Sequence, residues 1–271
     1  MPELLIEPGK SERQYWRDLW RYRELLYFLA WRDILVRYKQ TVIGVAWAVI
    51  RPLITVFVLT LVFSKIGKMV PKEYPAPIFI FCGMLPWQFF AAAFSESGNS
   101  LVSNAGMISK VYFPRLVVPV SSVITSFVDF LISAVIMSCF MAYYRYVPGL
   151  SVLYLPAFML LAFATAFGGG LWVSALMVRY RDFRYIVPFV IQFGLYISPV
   201  AYDVNRVPEK WRLLYSMNPM VGVIDGFRWA ILGGRTLYWP GIGISVAGVA
   251  LIIISGIWYF RRTERTFADV I

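Results

Sequence analysis

Long apolar runs, separated by short segments rich in arginine and lysine, constrain this chain more than any other feature. Of its 271 residues, 59% are hydrophobic and only 15% are charged. A soluble domain of this length would bury one core and still need a charged coat. A helix needs about 20 mostly apolar residues to cross a hydrocarbon core of roughly 30 Å. The sequence therefore predicts an all-α integral membrane protein.

The apolar runs predict six transmembrane helices. Their approximate ranges are 42–63, 78–97, 116–142, 152–178, 185–200 and 242–260. Together they form a transmembrane domain, residues 42–260, which follows an N-terminal segment, residues 1–41, and precedes a cytoplasmic tail, residues 261–271.

The distribution of lysine and arginine predicts the orientation of these spans. With both termini in the cytoplasm, the inner side carries 16 of these residues and the outer side 9. Cytoplasmic loops carry an excess of positive charge, so we expect both termini to be cytoplasmic. The net charge of +11 would suggest nucleic acid in a soluble protein. In a membrane protein it favours cytoplasmic loops in contact with anionic head groups.

The chain lacks the residues that most catalytic and metal sites use. It has no histidine, which is the commonest general base and metal ligand. Cys82 and Cys139 lie inside apolar runs and indicate neither a disulfide framework nor a metal cluster. The string Pro8-Gly9-Lys10-Ser11 resembles the end of a phosphate-binding loop, but Leu4 stands where that loop requires glycine. We therefore expect this chain to bind no metal, cofactor or nucleotide.

Residues 11–39 precede the first span and are predicted to form an amphipathic helix capped by Ser11. Arginines occupy one side of this helix, and tryptophans lie near its flanks. A basic amphipathic helix of this kind is typical of the membrane interface, and also of a helix packed on a soluble partner. Both interpretations can hold together. The narrow apolar stripe consists of Tyr15, Leu19, Tyr22, Leu26 and Leu29.

Two opposite charges fall within predicted spans, Arg51 in the first and Asp129 in the third. Ionisable residues at membrane depth are rare and usually functional. At ~1.5 Å per residue their depths differ by roughly 6 Å, which is within reach of an arginine side chain. We expect an ion pair or a shared polar cavity. The alternative is that Asp129 bonds to the hydroxyl of Ser126 or Ser133 and only packs helices.

Small residues occupy the middle of the fourth span, where Gly168, Gly169 and Gly170 follow one another. Small residues in membrane helices usually allow neighbouring helices to approach closely. A hinge is the alternative interpretation of the same triplet.

The segment between the fifth and sixth spans, residues 201–238, is too polar to cross the membrane. It predicts two short helices, Pro208–Met217 and Pro219–Leu232, with Asn218 as the cap of the second. At ~1.5 Å per residue neither helix is long enough to span the bilayer. We expect a re-entrant hairpin near the outer surface, because irregular backbone at membrane depth is tolerated only against protein or water.

Several strings of this sequence resemble the membrane permeases of type-2 ABC exporters. They include the run Arg37–Gly44 with Trp47 and Arg51-Pro52 after it, and the loop Lys110–Arg115 with Pro119 and Asp129-Phe130. Later strings are Tyr180–Phe183, Ser198-Pro199-Val200, Asn218-Pro219-Met220 and Gly226-Phe227-Arg228. The similarity covers nearly the whole chain in order. It is greatest to the branch that exports lipid-linked O-antigen polysaccharide.

The resemblance implies a bacterial inner-membrane assembly of two permeases and two ABC ATP-binding subunits, which bind ATP and Mg²⁺. The N-terminal helix and the loop after the second span would contact the ATP-binding subunit. The implied coupling residues are Ser100, Leu101, Asn104, Met107 and Ile108. The two short helices would form an outer gate, with Trp211, Tyr215, Asn218, Pro219, Phe227 and Arg228.

The resemblance also implies a substrate, a polysaccharide on polyprenyl pyrophosphate that enters from the inner leaflet. The implied entrance and conduit residues are Arg37, Lys39, Trp47, Arg51 and Asp129. The cations among them could attract the pyrophosphate, since fixed positive charge favours phosphate, or they could only set topology. Alternatives are a teichoic acid or capsule exporter, and a small-molecule or lipid efflux permease. A membrane glycosyltransferase is disfavoured, because Glu96, Asp129 and Asp182 are isolated acids.

Overall fold

The computed structural model describes residues 12–39, 44–234, 236–264 and 266–267. Within these ranges the chain is mostly helical and contains no β-strand, which confirms the all-α prediction. The predicted Ser11 cap and the string 8–11 lie outside the described residues. The helices are α1 (Glu12–Arg21), α2 (Arg23–Lys39), α3 (Gly44–Leu59), α4 (Ala76–Ser103), α5 (Ala105–Ile108), α6 (Val117–Tyr143), α7 (Leu155–Arg179), α8 (Phe183–Ile197), α9 (Glu209–Tyr215), α10 (Pro219–Leu232) and α11 (Trp239–Glu264).

Five helical segments of the described chain are long and apolar enough to cross a membrane. They are Ala46–Ile66, Ala76–Ser103, Val117–Tyr143, Leu150–Arg179 and Trp239–Glu264. The first joins α3 to a π-helical extension, Thr60–Ile66, and the fourth joins a 3₁₀ turn, Leu150–Tyr154, to α7. These segments correspond to five of the six predicted spans.

The remaining predicted span, 185–200, is a shorter helix, α8, of 15 residues. At about 1.5 Å per residue it is roughly 22 Å long, less than the hydrocarbon thickness of about 30 Å. The helix ends early because Ser198 precedes Pro199, and a residue before proline avoids the helical region. Ser198 is accordingly extended, with φ −85° and ψ 148°.

Helix α4 lies at the centre of the bundle and packs against α6, α7 and α10. In the first half of α4, most residues are buried. Phe89 illustrates this packing, because its ring lies 6.2 Å from Phe127 and 5.8 Å from Phe130 on α6, between ring centroids. On the other side it stacks at 6.4 Å on Phe163 of α7.

The glycines of α7 lie at close contacts with neighbouring helices. A Cβ on Gly170 would lie 2.7 Å from Cβ of Ser97 on α4. A Cβ on Gly168 would lie 3.0 Å from Cα of Ile253 on α11. Larger side chains at these positions would force the helices apart, so the predicted close helix approach is confirmed.

The end of the bundle beside α1 and α2, here called the proximal end, has its own buried cluster. Leu29 of α2 is 1% exposed there, with Val117 of α6 and Phe260 of α11 in the same cluster. The predicted apolar stripe of the N-terminal helix packs against this cluster. The stripe therefore faces the chain's own bundle, whereas other large residues of α1 and α2, among them Trp20, Tyr27 and Phe28, are exposed for a membrane or a partner.

Helices α9 and α10 form a hairpin that re-enters from the opposite, distal end. Ser245 donates to the carbonyl of Ser216 at 3.2 Å, so the turn of the hairpin lies against α11. A Cβ on Gly248 of α11 would lie 3.8 Å from Cγ of Pro219. Gly248 is about 13 Å from the start of α11, at ~1.5 Å per residue. Helix α10 then returns, and Ser151 donates to the carbonyl of Ala230 at 3.0 Å.

Candidate functional site

A cavity of about 1040 Å³ lies between α3 and α8, with α4 and α6 as its floor and the end of α2 at its margin. Its lining combines aromatic rings with groups that form hydrogen bonds. The polar lining residues are Arg37, Tyr38, Arg51, Thr55, Gln88, Ser95, Glu96, Ser126, Asp129, Ser133 and Gln192. The aromatic ones are Trp47, Trp87, Phe89 and Phe130. Such a lining can contact the apolar faces of an amphiphilic ligand and can also form hydrogen bonds with its hydroxyl groups.

The walls of this cavity have a second apolar face that points away from the bundle. On α3, Ile54 is 54% and Phe57 67% exposed. On α8, Tyr185 is 80% and Tyr196 65% exposed. Exposed apolar surface of this extent must contact lipid or another protein.

Charged side chains from three helices meet at the cavity margin. The Arg37 guanidinium of α2 donates to the carboxylates of both Glu96 on α4 and Asp129 on α6. The Tyr38 hydroxyl donates to the other oxygen of Asp129. Ser126 donates to Glu96 at 3.3 Å, so each carboxylate receives two donors. Charged groups that are partly removed from water require such partners.

The pKa values of Arg37 and Tyr38 keep both side chains protonated at neutral pH, so that both act as hydrogen-bond donors. Partial burial lowers the pKa of Arg37, but the charges of Glu96 and Asp129 more than offset this, and the net pKa lies above its ordinary value. Burial and the hydrogen bond to Asp129 raise the pKa of Tyr38 well above 10. At neutral pH, Arg37 is therefore charged and Tyr38 carries its proton.

The structure places the predicted conduit residues together but pairs them differently. Arg37, Trp47, Arg51 and Asp129 all line the cavity, while Lys39 is exposed beside it at the end of α2. Arg51 and Asp129 share one polar cavity, which is the second form of the expectation, while the cation that pairs with Asp129 is Arg37. From the sequence, Arg37 was expected at the entrance, without an acidic partner in a predicted span.

The role of Glu96 was also missed, although a signal was present. Glu96 lies within the second predicted span and was judged only as an isolated catalytic acid. An intramembrane acid needs a cation within reach, and the chain supplies one from α2. A search for that cation among residues before the first span would have found Arg37.

The predicted coupling residues straddle the α4–α5 junction and are largely buried. Ser100 and Leu101 belong to α4 and are 3% and 0% exposed. Ile108, at 5%, packs into the proximal cluster. These three side chains are therefore covered by the chain's own helices, and their role in coupling stays a prediction. Asn104 and Met107 remain partly accessible.

The predicted gate residues divide into surface and core positions. Trp211 of α9 is 55% exposed, and Asn218 caps α10 by accepting a 3.1 Å bond from the Met220 amide. Pro219 is the first residue of α10. Phe227 and Arg228, in contrast, are fully buried. Buried residues cannot face a pore, so these two support the hairpin from inside.

Hydrogen bonds join this hairpin to the segment after α8. Tyr215 and Tyr202 share a bond of 2.7 Å between their hydroxyls. The Asn218 amide donates to the hydroxyl of Ser198 at 3.0 Å. Burial and the Tyr202 hydroxyl raise the pKa of Tyr215, which keeps its proton at neutral pH. The hairpin and the end of α8 thus form one connected unit.

Comparison with known proteins identifies the family. The profile of the ABC-2 type transporter family matches residues 24–232. The chain belongs to the ABC-2 type transporter family. This confirms the resemblance to type-2 ABC exporter permeases and makes the chain a multi-span membrane permease. Membership implies an ABC ATP-binding partner, and ATP hydrolysis lies on that separate subunit.

Named relatives of this ABC-2 permease are similar over nearly their whole length. An O-antigen export system permease protein RfbA of Klebsiella pneumoniae is 28% identical over 249 residues, 92% of this chain and 95% of its own. The protein of that name from Myxococcus xanthus is 26% identical, over 94% of this chain and 98% of its own. The polysialic acid transport protein KpsM of Escherichia coli is 21% identical, over 86% and 91%.

Proposed function

We propose that this permease works as a pair of copies with two ATP-binding subunits, which hold ATP and Mg²⁺. The assembly exports a polysaccharide linked to polyprenyl pyrophosphate across the inner membrane, with the termini of the permease in the cytoplasm. Two relatives named for O-antigen export support this, since they are similar over 92% and 94% of the chain. The proximal end is then the cytoplasmic end.

The cavity between α3 and α8 is the observation that carries this proposal. A long polymer cannot be enclosed in one pocket, so its export requires a continuous conduit. The cavity has a polar and aromatic floor, and the outer faces of its two walls are apolar and exposed. A second copy placed against α3 and α8 would cover those faces and close the cavity into a conduit. Aromatic rings would contact sugar faces while glutamines bind hydroxyls.

Arg51 is the residue best suited to receive the pyrophosphate head group. It lines the cavity on α3, where a substrate would enter from the cytoplasmic leaflet. The charge of Arg37 is already compensated by two carboxylates, so it is less available for phosphate. Lys39 is exposed at the end of α2 and adds a second cation nearby. Guanidinium groups bind phosphate with paired hydrogen bonds, which favours Arg51.

A strain that lacks this permease tests the substrate. We expect polyprenyl-linked polysaccharide to accumulate in the cytoplasm, and the wild-type chain to restore export. Arg51→Gln should restore assembly with the ATP-binding subunit but not the stimulation of ATP hydrolysis by substrate. Arg145→Gln, an exposed arginine after α6 and outside the cavity, is the matched control. Normal polymer export in the deletion strain, with loss of efflux of a small amphiphile, would instead support a drug or lipid efflux permease.

A capsule exporter is the second candidate, and the similarity to the polysialic acid transport protein KpsM favours it. Teichoic acid export is a further variant of the same chemistry. Chemical analysis of the accumulated polymer separates these substrates. A polyprenyl pyrophosphate anchor with O-antigen sugars supports the first proposal. An acidic capsular polymer, or one of polyol phosphates, supports the alternatives.

A further inference from the structure

Helix α2 contacts the α4–α5 junction through Arg32. The guanidinium donates to Oδ1 of Asn104 at 3.0 Å and to Asp33 at 2.8 Å. Asn104 separates α4 from α5, and its carbonyl accepts the backbone amides of Met107 and Ile108 at 3.0 Å. Helix α5 therefore meets α2 through this polar contact as well as through the proximal cluster, to which Ile108 and Leu29 both belong.

The same helix ends at the cavity with Arg37, five residues beyond Arg32. There the guanidinium bridges two carboxylates on different helices, Glu96 on α4 and Asp129 on α6. Without this cation, only the hydroxyls of Tyr38 and Ser126 would remain as donors to the two carboxylates. Because the Arg37 guanidinium bonds to both carboxylates, it links α2, α4 and α6 at the cavity.

The helix between these two contacts is stiff and supported. Residues 23–39 contain neither glycine nor proline, the usual causes of a bend. Leu29 fixes the middle of the helix in the proximal cluster. Helix α3, which follows after residues 40–43, differs because it is largely exposed and contains Pro52. The chain thus changes from an anchored helix to a loosely packed one beside the cavity.

We propose that α2 is a strut that transmits displacement of α5 to the cavity wall, and that Arg37 is the positioning residue at its cavity end. The displacement of α5 reaches α2 at the contact between Arg32 and Asn104. Arg37 fixes the cavity end of α2, relative to which α3 moves. The coupling part of this inference rests on the proposed function, because the ATP-binding partner must act at the proximal end. The geometric part does not.

A distance measurement tests the geometric part. In a chain with Cys82→Ala and Cys139→Ser, spin labels at Val36→Cys on α2 and Leu131→Cys on α6 report how firmly the two helices are held. Both positions are exposed, at 53% and 48%. We expect one narrow distance distribution in the parent and in the control Arg23→Gln, which alters another exposed arginine of α2. Arg37→Gln should broaden the distribution.

The double variant Arg37→Glu/Glu96→Arg keeps one cation and two anions at the same three positions. It should narrow the distribution again, which a general loss of packing would not do. A distribution in Arg37→Gln that equals the parent's overturns the inference. So does a double variant as broad as Arg37→Gln. If Arg37→Gln fails to assemble, restored assembly of the double variant supports the inference and continued failure overturns it.

Export and ATP hydrolysis by the complete transporter test the coupling part. Arg37→Gln should lower export at least about tenfold while ATP hydrolysis stays within about twofold, since couplings within charge networks are of this size. The double variant should recover export. Unchanged export, or an equal fall of both activities, overturns the coupling part. If the parent exports no polysaccharide, the proposed function fails, and the distances still decide the geometric part.

Discussion

The guanidinium of Arg228 donates a 2.7 Å hydrogen bond to the carbonyl oxygen of Val200, and so joins α10 to the extended segment that follows α8. A second bond of 2.7 Å reaches the carbonyl of Tyr202. The arginine is 0% exposed and lies 4.1 Å from the ring centroid of Phe79 on α4. The hairpin, the end of α8 and α4 must therefore move together.

Arg228→Gln should destabilise the permease markedly. The change removes two charge-assisted bonds and leaves two buried carbonyls without their donor, at a cost of about 3 kcal/mol or more. The midpoint of thermal unfolding of the purified protein in detergent should fall by several degrees. Arg184→Gln, on the exposed surface of α8, should leave the midpoint unchanged. Equal midpoints for both variants would contradict the role of Arg228 in joining α10, the end of α8 and α4.

Gly83→Ala, on α4, should weaken the same contacts of Arg228. A Cβ at this position would lie 2.7 Å from Nη2 of Arg228 and would also meet the carbonyl of Val200. Overpacking of this kind costs about 1–3 kcal/mol. Gly243→Ala is the matched control, because nothing lies within 4 Å of its Cβ. The two variants are compared by thermal unfolding, and a loss confined to Gly83→Ala is the expected outcome.

The attachment of α1 should weaken at high pH. The Tyr15 hydroxyl donates to Glu264 at 2.9 Å, and burial followed by the charge of Glu264 raises the pKa of Tyr15 above its ordinary value of 10. A raised pKa gives stability that is complete below pH 10 and is lost as pH rises through the folded-state pKa. Limited proteolysis of α1 should therefore be constant from neutral pH to about pH 9 and increase above pH 10.

Tyr15→Phe provides the control for that pH dependence. It removes the hydroxyl but keeps the ring against Arg261, whose guanidinium carbon lies 4.6 Å from the ring centroid. We expect faster cleavage of α1 at neutral pH, with a cost of about 1 kcal/mol for one hydrogen bond. The rise above pH 10 should disappear in this variant. A rise that persists would assign the effect to another group.

The proposed orientation predicts which loops a membrane-impermeant thiol reagent can reach. Val147 is 86% exposed after α6, and Tyr112 is 63% exposed before it. In a chain with Cys82→Ala and Cys139→Ser, Val147→Cys should be labelled in intact spheroplasts. Tyr112→Cys should be labelled only after permeabilisation. The reverse pattern would place both termini outside the cytoplasm.

Much of the fold follows from local sequence. Apolar runs of sufficient length predict the spans, and Asn218 followed by Pro219 predicts the start of α10, because both signals act within one turn of helix. The shortened α8 was not predicted, although Ser198-Pro199 carries the reason. Leu101 and Ile108 were expected at the contact with the ATP-binding subunit from their position in the family pattern, which does not show which residues the chain's own helices bury.

The sequence by itself determined the helical class, the number of apolar segments and the family, since these depend on residue types and spacing along the chain. Only the tertiary structure decided that α2 ends at the cavity margin, that Arg37 rather than Arg51 pairs with Asp129, and that Arg228 is buried. Charge pairing depends on distances across helices that lie far apart in sequence. Such distances are fixed by how the helices pack.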